Sequence, residues 1–126
     1  MADNELERPP VVALAADLLL GARIRGAAQA SGTAVELARS ADALLERART
    51  APPARILLDL DTRSADAVAL IRALKTDPAT AGIEVVAFVS HVREDAIAAA
   101  RDAGADRVLA RGAFLRQLPE WVSVEG

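Results

Sequence analysis

The chain has 126 residues, of which 52% are hydrophobic and 26% are charged, and this balance is typical of one compact globular domain. It contains no cysteine, which excludes disulfide bonds and thiolate metal sites. A formal net charge of −3 and a scarcity of aromatic residues argue against direct binding of nucleic acid.

The first eight residues, MADNELER, are polar and acidic. We interpret residues 1–8 as a flexible N-terminal tail and residues 9–126 as a single domain. The tail does not resemble a secretory signal, and no apolar run reaches the roughly 18 residues that a membrane-spanning helix needs. We therefore expect a cytoplasmic protein that does not bind membranes.

Short apolar runs alternate with segments of helical periodicity along the chain. Val11–Ala16 predicts a strand buried on both faces. A helical pattern begins at Leu18 and is stopped by Gly32. Thr33–Ala38 predicts a second strand, and the helix after it begins behind Ser40, a residue type that caps helices well.

The second half of the chain continues the same alternation. The elements predicted there are, in chain order, the strand Arg55–Leu60, a helix after Ser64, the strand Ile83–Val89, the helix Arg93–Ala103 stopped by Gly104, the strand Arg107–Ala110 and the helix Ala113–Trp121. Five strands alternating with five helices predict a parallel sheet covered on both faces. We therefore expect a three-layer αβα fold.

In open parallel sheets of this kind, ligands bind beyond the carboxyl ends of the strands, near the point where the strand order reverses. The polar residues predicted to follow strands are Asp17, Asp59, Asp61, Ser90, His91 and Arg111. Among them Asp59 interrupts an otherwise apolar strand. Because a buried carboxylate is costly unless it is paired, we expect donors near it, with Arg111 and Ser90 as candidates.

Two segments resemble the receiver domains of bacterial response regulators. The segment ILLDLDTRSADAVALIRALKTDPATAGIEVVAFVS is similar to the receiver's phosphoacceptor strand, the helix after it and the DP-containing turn into the fourth strand. The segment AAARDAGADRVLARGAF is similar to the fourth helix, the AGAD turn and the fifth strand. The resemblance extends from Val11 to about Trp121, and it implies a flavodoxin-like (βα)5 fold with a five-stranded parallel sheet in the strand order 2-1-3-4-5.

The resemblance implies a role for each matching residue. Asp59 occupies the position of the phosphoaccepting aspartate, a carboxylate nucleophile that works beside a bound Mg²⁺. Asp61 occupies the position that lends a backbone carbonyl to that metal. The switch serine or threonine corresponds to Ser90, or to Val89 by an ungapped count back from Gly104.

This sequence departs from the receiver pattern after the first strand. Receivers carry an acidic pair for Mg²⁺ there, and this chain reads Ala15-Ala16-Asp17. Losing a carboxylate removes much of the electrostatic hold on the cation. The resemblance therefore implies at most a weak Mg²⁺ site formed by Asp17, Asp59 and Asp61, and no other cofactor.

A second departure follows the fifth strand, where receivers have lysine and proline and this chain has Arg111-Gly112. An arginine is a planar fork of donors and a lysine is a compact point charge. We expect the exchange to favour a standing ion pair between Arg111 and Asp59 over capture of a phosphate.

Several residues have a second interpretation that is structural. Asp17 is more typical of a helix N-cap than of a metal ligand. Ser90-His91 predicts a solvated loop more readily than a ligand-responsive one. The apolar stripe near the end of the chain belongs to the core or joins a dimer face, with partial exposure expected at one member: Phe114, Leu115, Leu118 and, as the exposed member, Trp121.

Our leading hypothesis is a stand-alone, receiver-like signalling domain of a two-component (phosphorelay) pathway that binds other proteins and is weakly phosphorylated or not at all. Its expected partners are a histidine kinase or another signalling protein, and a second copy through the last helix. The alternative is a functional single-domain response regulator phosphorylated on Asp59 with Mg²⁺, its only enzymatic activity being autophosphorylation and dephosphorylation. A flavodoxin-like small-molecule binder is a third hypothesis, although the sequence has no glycine-rich phosphate loop.

Overall fold

The structure is a computed structural model that describes residues 10–61, 64–90 and 93–123. The proposed tail at 1–8 and His91 lie outside the described residues. The strands are β1 (Val11–Leu14), β2 (Val35–Leu37), β3 (Arg55–Asp59), β4 (Glu84–Val89) and β5 (Arg107–Ala110). The helices are α1 (Leu18–Ala30), α2 (Ala41–Thr50), α3 (Ser64–Thr76), α4 (Glu94–Ala103), α5 (Arg111–Arg116) and α6 (Leu118–Val122).

The five strands form one parallel sheet in the order β2-β1-β3-β4-β5, which confirms the predicted topology. In the register of the sheet, Leu14 lies beside Leu58, and Asp59 lies beside Phe88. The carboxyl ends of β1, β3 and β4 therefore meet at one edge, next to the point where the strand order reverses.

Each face of the sheet has its own hydrophobic core. Because side chains alternate along a strand, Ile56 and Leu58 face α2, α3 and α4, whereas Leu57 faces α1, α5 and α6. All three are fully buried. These two cores give the three layers that the sequence predicts. None of the described helices combines the length and apolar content needed to cross a membrane.

The end of the chain differs from the prediction of one helix over Ala113–Trp121. It forms two short helices, α5 and α6, with Gln117 between them. Pro119 explains the break, because a proline has no N–H to continue the hydrogen-bond ladder and its ring crowds the preceding turn.

The apolar stripe of α5 and α6 belongs to the core. Phe114 stacks on Phe88 with the ring centroids 3.9 Å apart, and Leu118 and Trp121 are each only 5% exposed. The expectation of a partly exposed Trp121 is therefore wrong. A dimer through the last helix would have to use other residues, because this apolar surface is buried against α1 and the sheet.

Side chains from distant elements hold α6 in place. The Arg55 guanidinium donates to the carbonyl oxygens of Trp121 at 2.7 Å and of Ser123 at 3.1 Å, and its Nε donates to Glu84 at 2.7 Å. The Thr33 hydroxyl donates to the carbonyl oxygen of Val122 at 2.8 Å. A helix of only five residues is marginal by itself, so these contacts and its buried face hold it.

The turn between α4 and β5 depends on Gly104, which ends α4 with a φ of 112° in the left-handed region. A Cβ on Gly104 would lie 2.9 Å from Cγ of Lys75. The Lys75 ammonium donates to the carbonyl oxygen of Ile83 at 2.7 Å and to Oδ2 of Asp106 at 2.8 Å. Glycine is needed here both for its φ and for the space that it leaves.

We expect Gly104→Ala to lower the free energy of unfolding by about 2 kcal/mol, because an L-residue is strained at this φ and its Cβ meets the Lys75 stem. Urea denaturation monitored by circular dichroism measures the loss. Gly82→Ala is the matched control, because its Cβ would meet nothing within 4 Å. Equal stability of the two variants would contradict this account of the turn.

Candidate functional site

Asp59 ends the central strand β3, and its residue is 0% exposed. Its Oδ2 accepts a hydrogen bond from the backbone N–H of Ala16 at 2.8 Å, and its Oδ1 accepts one from the backbone N–H of Asp61 at 2.8 Å. Donation to a charged oxygen strengthens both bonds. Each oxygen of the buried carboxylate thus has a backbone donor.

The backbone N–H of Ala16 can reach Asp59 because β1 ends before Ala16, earlier than the sequence predicts. The strand ends at Leu14 rather than at Ala16, so the backbone of Ala16 has left the sheet ladder and turns its N–H towards Asp59. Sequence patterns did not identify this donor, since a backbone N–H is common to all residues except proline. The only available signal was that a buried Asp59 carboxylate needs hydrogen-bond donors close to it.

Burial raises the pKa of the Asp59 carboxyl group and is the largest influence on it. The backbone hydrogen bonds from Asp61 and Ala16 act in the opposite direction. The negative charge of Asp61 raises the pKa further, and the positive charge of Arg111 lowers it. The sum is a raised pKa, so desolvation of the carboxylate outweighs the donors that surround it.

Asp17 caps α1, which confirms the structural interpretation of this residue. Its Oδ1 accepts from the backbone N–H of Leu20 at 2.7 Å. Its Oδ2 lies 3.6 Å from Nη2 of Arg111. The ion pair of Arg111 is therefore with Asp17 rather than with Asp59. Both side chains are substantially exposed, so the pair contributes about 0 to 1 kcal/mol.

Asp61 connects the end of β3 to the end of β4. Its Oδ2 accepts from the backbone N–H of Ser90 at 2.8 Å. Val89 is the last residue of β4 and is fully buried in the core, whereas Ser90 follows the strand and is exposed. The predicted donation from Ser90 thus reaches Asp61 and not Asp59.

An open groove of about 650 Å³ lies between the ends of β1, β2 and β3. Its lining includes small side chains, such as those of Ala15 and Ala16, and the charged side chains of Arg39, Asp61 and Asp66. None of the lining residues is aromatic. The groove therefore offers no ring for stacking a flavin or a base, which argues against a flavodoxin-like cofactor site.

No protein-family model and no curated protein matches the chain. Several solved structures do match the chain. The phosphorylated cyanobacterial phytochrome response regulator RcpA is 27% identical with a TM-score of 0.68, over 90% of this chain and 89% of that one. The Mn²⁺-bound response regulator Rcp1 is 18% identical with a TM-score of 0.74, over 94% and 98%. A putative response regulator from Chloroflexus aurantiacus is 19% identical with a TM-score of 0.76, over 88% and 92%.

The chain has the fold of a response regulator receiver domain. This confirms the resemblance found in the sequence. In the receiver fold of this chain, the carboxyl edge of the sheet brings Asp17, Asp59, Asp61 and Arg111 near one another, as the sequence predicts, but the contacts among them differ from those expected.

A receiver fold raises the question of whether these residues fit a divalent cation, as in the Mn²⁺-bound Rcp1. Both Asp59 oxygens accept backbone hydrogen bonds, and Asp17 is committed to α1 and Arg111. Ala15 and Ala16 offer no carboxylate. In the described parts of the chain, no three His, Cys, Asp or Glu side chains are placed so that they could hold a metal. The donor set does not fit a tightly bound cation.

We expect Ala15→Asp/Ala16→Asp to bind Mn²⁺ about tenfold or more tightly than the wild-type domain, because it returns carboxylates to the edge beside Asp59. Paramagnetic broadening of the Asp59 and Asp61 amide signals measures the binding. Ala15→Asn/Ala16→Asn is the matched control of similar size without the charge. If the wild-type domain binds Mn²⁺ as tightly as the double aspartate variant does, the conclusion that its donor set does not fit the cation is wrong.

The raised pKa of Asp59 predicts a pH dependence of stability. Because the folded state keeps this proton to a higher pH than the unfolded chain, whose carboxyl pKa is near 3.8, stability falls as pH rises from 3.8 through the folded pKa. Over that window we expect wild type to lose stability relative to Asp59→Asn in urea titrations.

Asp106 provides the control with the opposite sign. Burial acts to raise the pKa of this carboxyl group, but hydrogen bonds from Lys75 and from the Val85 N–H lower it overall. Relative to Asp106→Asn, wild type should therefore lose stability as pH falls below 3.8. If the stability difference between wild type and variant changes with pH in the same direction for Asp59→Asn and for Asp106→Asn, the raised pKa of Asp59 is contradicted.

Proposed function

We propose that this chain is a receiver-like signalling domain of a two-component (phosphorelay) pathway that acts by binding other proteins, with weak or no phosphorylation of Asp59. Its partners are a histidine kinase or another signalling protein. The receiver fold and the response regulators that share it support this assignment.

The observation that carries the proposal is the state of the Asp59 carboxylate. Transfer of a phosphoryl group needs an accessible nucleophile and cations that neutralise charge on the equatorial oxygens. Asp59 is fully buried, and both of its oxygens accept backbone hydrogen bonds. To accept a phosphoryl group, one of these oxygens would have to become accessible to the donor.

The cationic groups at the site are also poorly arranged for this chemistry. Arg111 forms its ion pair with Asp17, although its charge also lowers the pKa of Asp59. An arginine with a standing partner has less to gain from an incoming phosphate than a free lysine has. The alanine pair before Asp17 provides no carboxylate for a metal that could replace this charge.

The alternative is a functional response regulator phosphorylated on Asp59 with Mg²⁺ held by Asp17, Asp59 and Asp61. It is favoured by the position of Asp59 at the carboxyl end of the central strand and by the phosphorylated state of the similar RcpA. Catalysis by this chain would in that case be limited to autophosphorylation and dephosphorylation at Asp59, with Ser90 and Arg111 assisting.

Beryllofluoride, which mimics a phosphoryl group, distinguishes the proposed protein-binding domain from the phosphorylated response regulator. With Mg²⁺ and beryllofluoride we expect no shift in the amide signals of Ala16, Asp59 and Asp61, because the carboxylate keeps its backbone donors. Two-dimensional NMR of wild type and of Asp59→Asn measures this. Saturable shifts in wild type that disappear in Asp59→Asn would replace the proposal with the alternative.

A further inference from the structure

The groove between the ends of β1, β2 and β3, which we call the carboxyl-edge groove, carries opposite charges that do not pair with each other. Its volume of about 650 Å³ falls in the range of small-molecule sites, roughly 300 to 1,000 Å³. Arg39 lies beyond β2, Asp61 lies beyond β3, and Asp66 lies in the first turn of α3. Within the described ranges, neither Arg39 nor Asp66 forms an ion pair. Both charges are therefore available to a ligand.

Apart from Ser40, the uncharged lining of the groove is aliphatic. It consists of the side chains of Leu14, Ala15, Ala16, Ala41 and Ala67. Receivers carry an acidic pair after the first strand, where this chain places Ala15 and Ala16 in the lining. Apolar surface thus replaces two charges at this edge. The groove therefore suits a ligand that has a short aliphatic part beside its charged groups.

The Arg39 side of the groove suits a carboxylate. A guanidinium can donate two parallel hydrogen bonds to the two oxygens of a carboxylate. Arg39 is exposed and directly precedes Ser40, the N-cap of the ten-residue helix α2. The backbone N–H of Ala41, in the first turn of α2, has no carbonyl partner within the helix. Its partial positive charge adds to that of Arg39.

The Asp61 and Asp66 side of the groove suits an ammonium group. Asp66 is exposed and unpaired in the described part of the chain. Asp61 uses Oδ2 to accept the backbone N–H of Ser90 at 2.8 Å, which leaves Oδ1 for another donor. An ammonium group has three N–H donors, so it can bind both carboxylates.

We propose that the carboxyl-edge groove binds a free aliphatic α-amino acid. Its carboxylate contacts Arg39, its ammonium group contacts Asp61 and Asp66, and its side chain packs on Ala15 and Ala16. This goes beyond the proposed function, because it needs neither a partner protein nor a phosphoryl group.

The charges of the groove favour an amino acid over three other occupants. A simple anion would meet Asp61 and Asp66, and a simple amine would meet Arg39, so each would face a like charge. A segment within a polypeptide has neither an ammonium group nor a carboxylate on its backbone. A free amino acid carries both charges on one carbon and leaves both sides of the groove paired.

Free amino acids and two derivatives test the proposal. In NMR titrations of wild type we expect L-leucine to cause saturable shifts of the Ser40, Ala41 and Asp66 amide signals. L-Alanine should cause the same shifts with a lower affinity, because it buries less apolar surface. N-acetyl-L-leucine lacks the positive charge and L-leucinamide lacks the negative one. Each should bind at least tenfold more weakly than L-leucine, because one side of the groove loses its partner.

Variants assign the two charges. Arg39→Gln should weaken L-leucine binding at least tenfold and remove its advantage over L-leucinamide. Asp66→Asn should weaken L-leucine binding and reduce its advantage over N-acetyl-L-leucine. The matched controls are Arg72→Gln in α3 and Asp95→Asn in α4, two exposed residues outside the lining, and they should bind L-leucine as wild type does.

The proposal is overturned if neither amino acid shifts these signals, if the shifts fall on other elements, or if Arg39→Gln or Asp66→Asn binds L-leucine normally. Equal binding of N-acetyl-L-leucine or L-leucinamide also overturns it, because the groove would then recognise a single charge, such as one end of a peptide. Beryllofluoride reports on Asp59 and the amino acids report on the groove, so either proposal can fail without the other.

Discussion

The carboxylate of Asp59 is buried at the end of β3, directly after the apolar residues Ile56, Leu57 and Leu58. An ionised group in that position has to recover the hydration that it loses. Here the backbone N–H groups of Ala16 and Asp61 supply this compensation at 2.8 Å each. The chain leaves β1 after Leu14, which turns the Ala16 N–H towards Asp59 and leads directly into the Asp17 cap of α1. The buried charge and the turn between β1 and α1 are therefore joined at the carboxyl edge.

The same compensation limits what the site can do. Oxygens that accept hydrogen bonds from the backbone are less available to a metal or a phosphoryl group, and burial already raises the pKa of the carboxyl group. Arg111 forms an exposed ion pair with Asp17, and its charge also lowers the pKa of Asp59. In this arrangement Asp59 supports the local structure of the edge, while the surface beside it presents Leu18 and Leu19 to solvent.

The opposite edge of the sheet is organised around a different charge. Arg55 at the start of β3 binds Glu84 and the last carbonyl groups of α6, and Arg107 lies over the ring of Trp121 at 5.7 Å. These contacts replace the stability that a single long final helix would have provided. The short α5 and α6 thus depend on residues far away in the sequence.

The sequence by itself determined the layers and the position of Asp59, because these follow from local periodicity and caps such as Ser40, and its resemblance to receiver domains supplied the strand order. It also indicated that Asp17 caps a helix, since that interaction is made within one turn. Only the tertiary structure decided which groups contact Asp59, that Arg111 pairs with Asp17, and that Trp121 is buried. Apart from the hydrogen bond from the Asp61 N–H, these contacts join residues distant in sequence, and several use backbone atoms, so neither residue type nor periodicity indicates them.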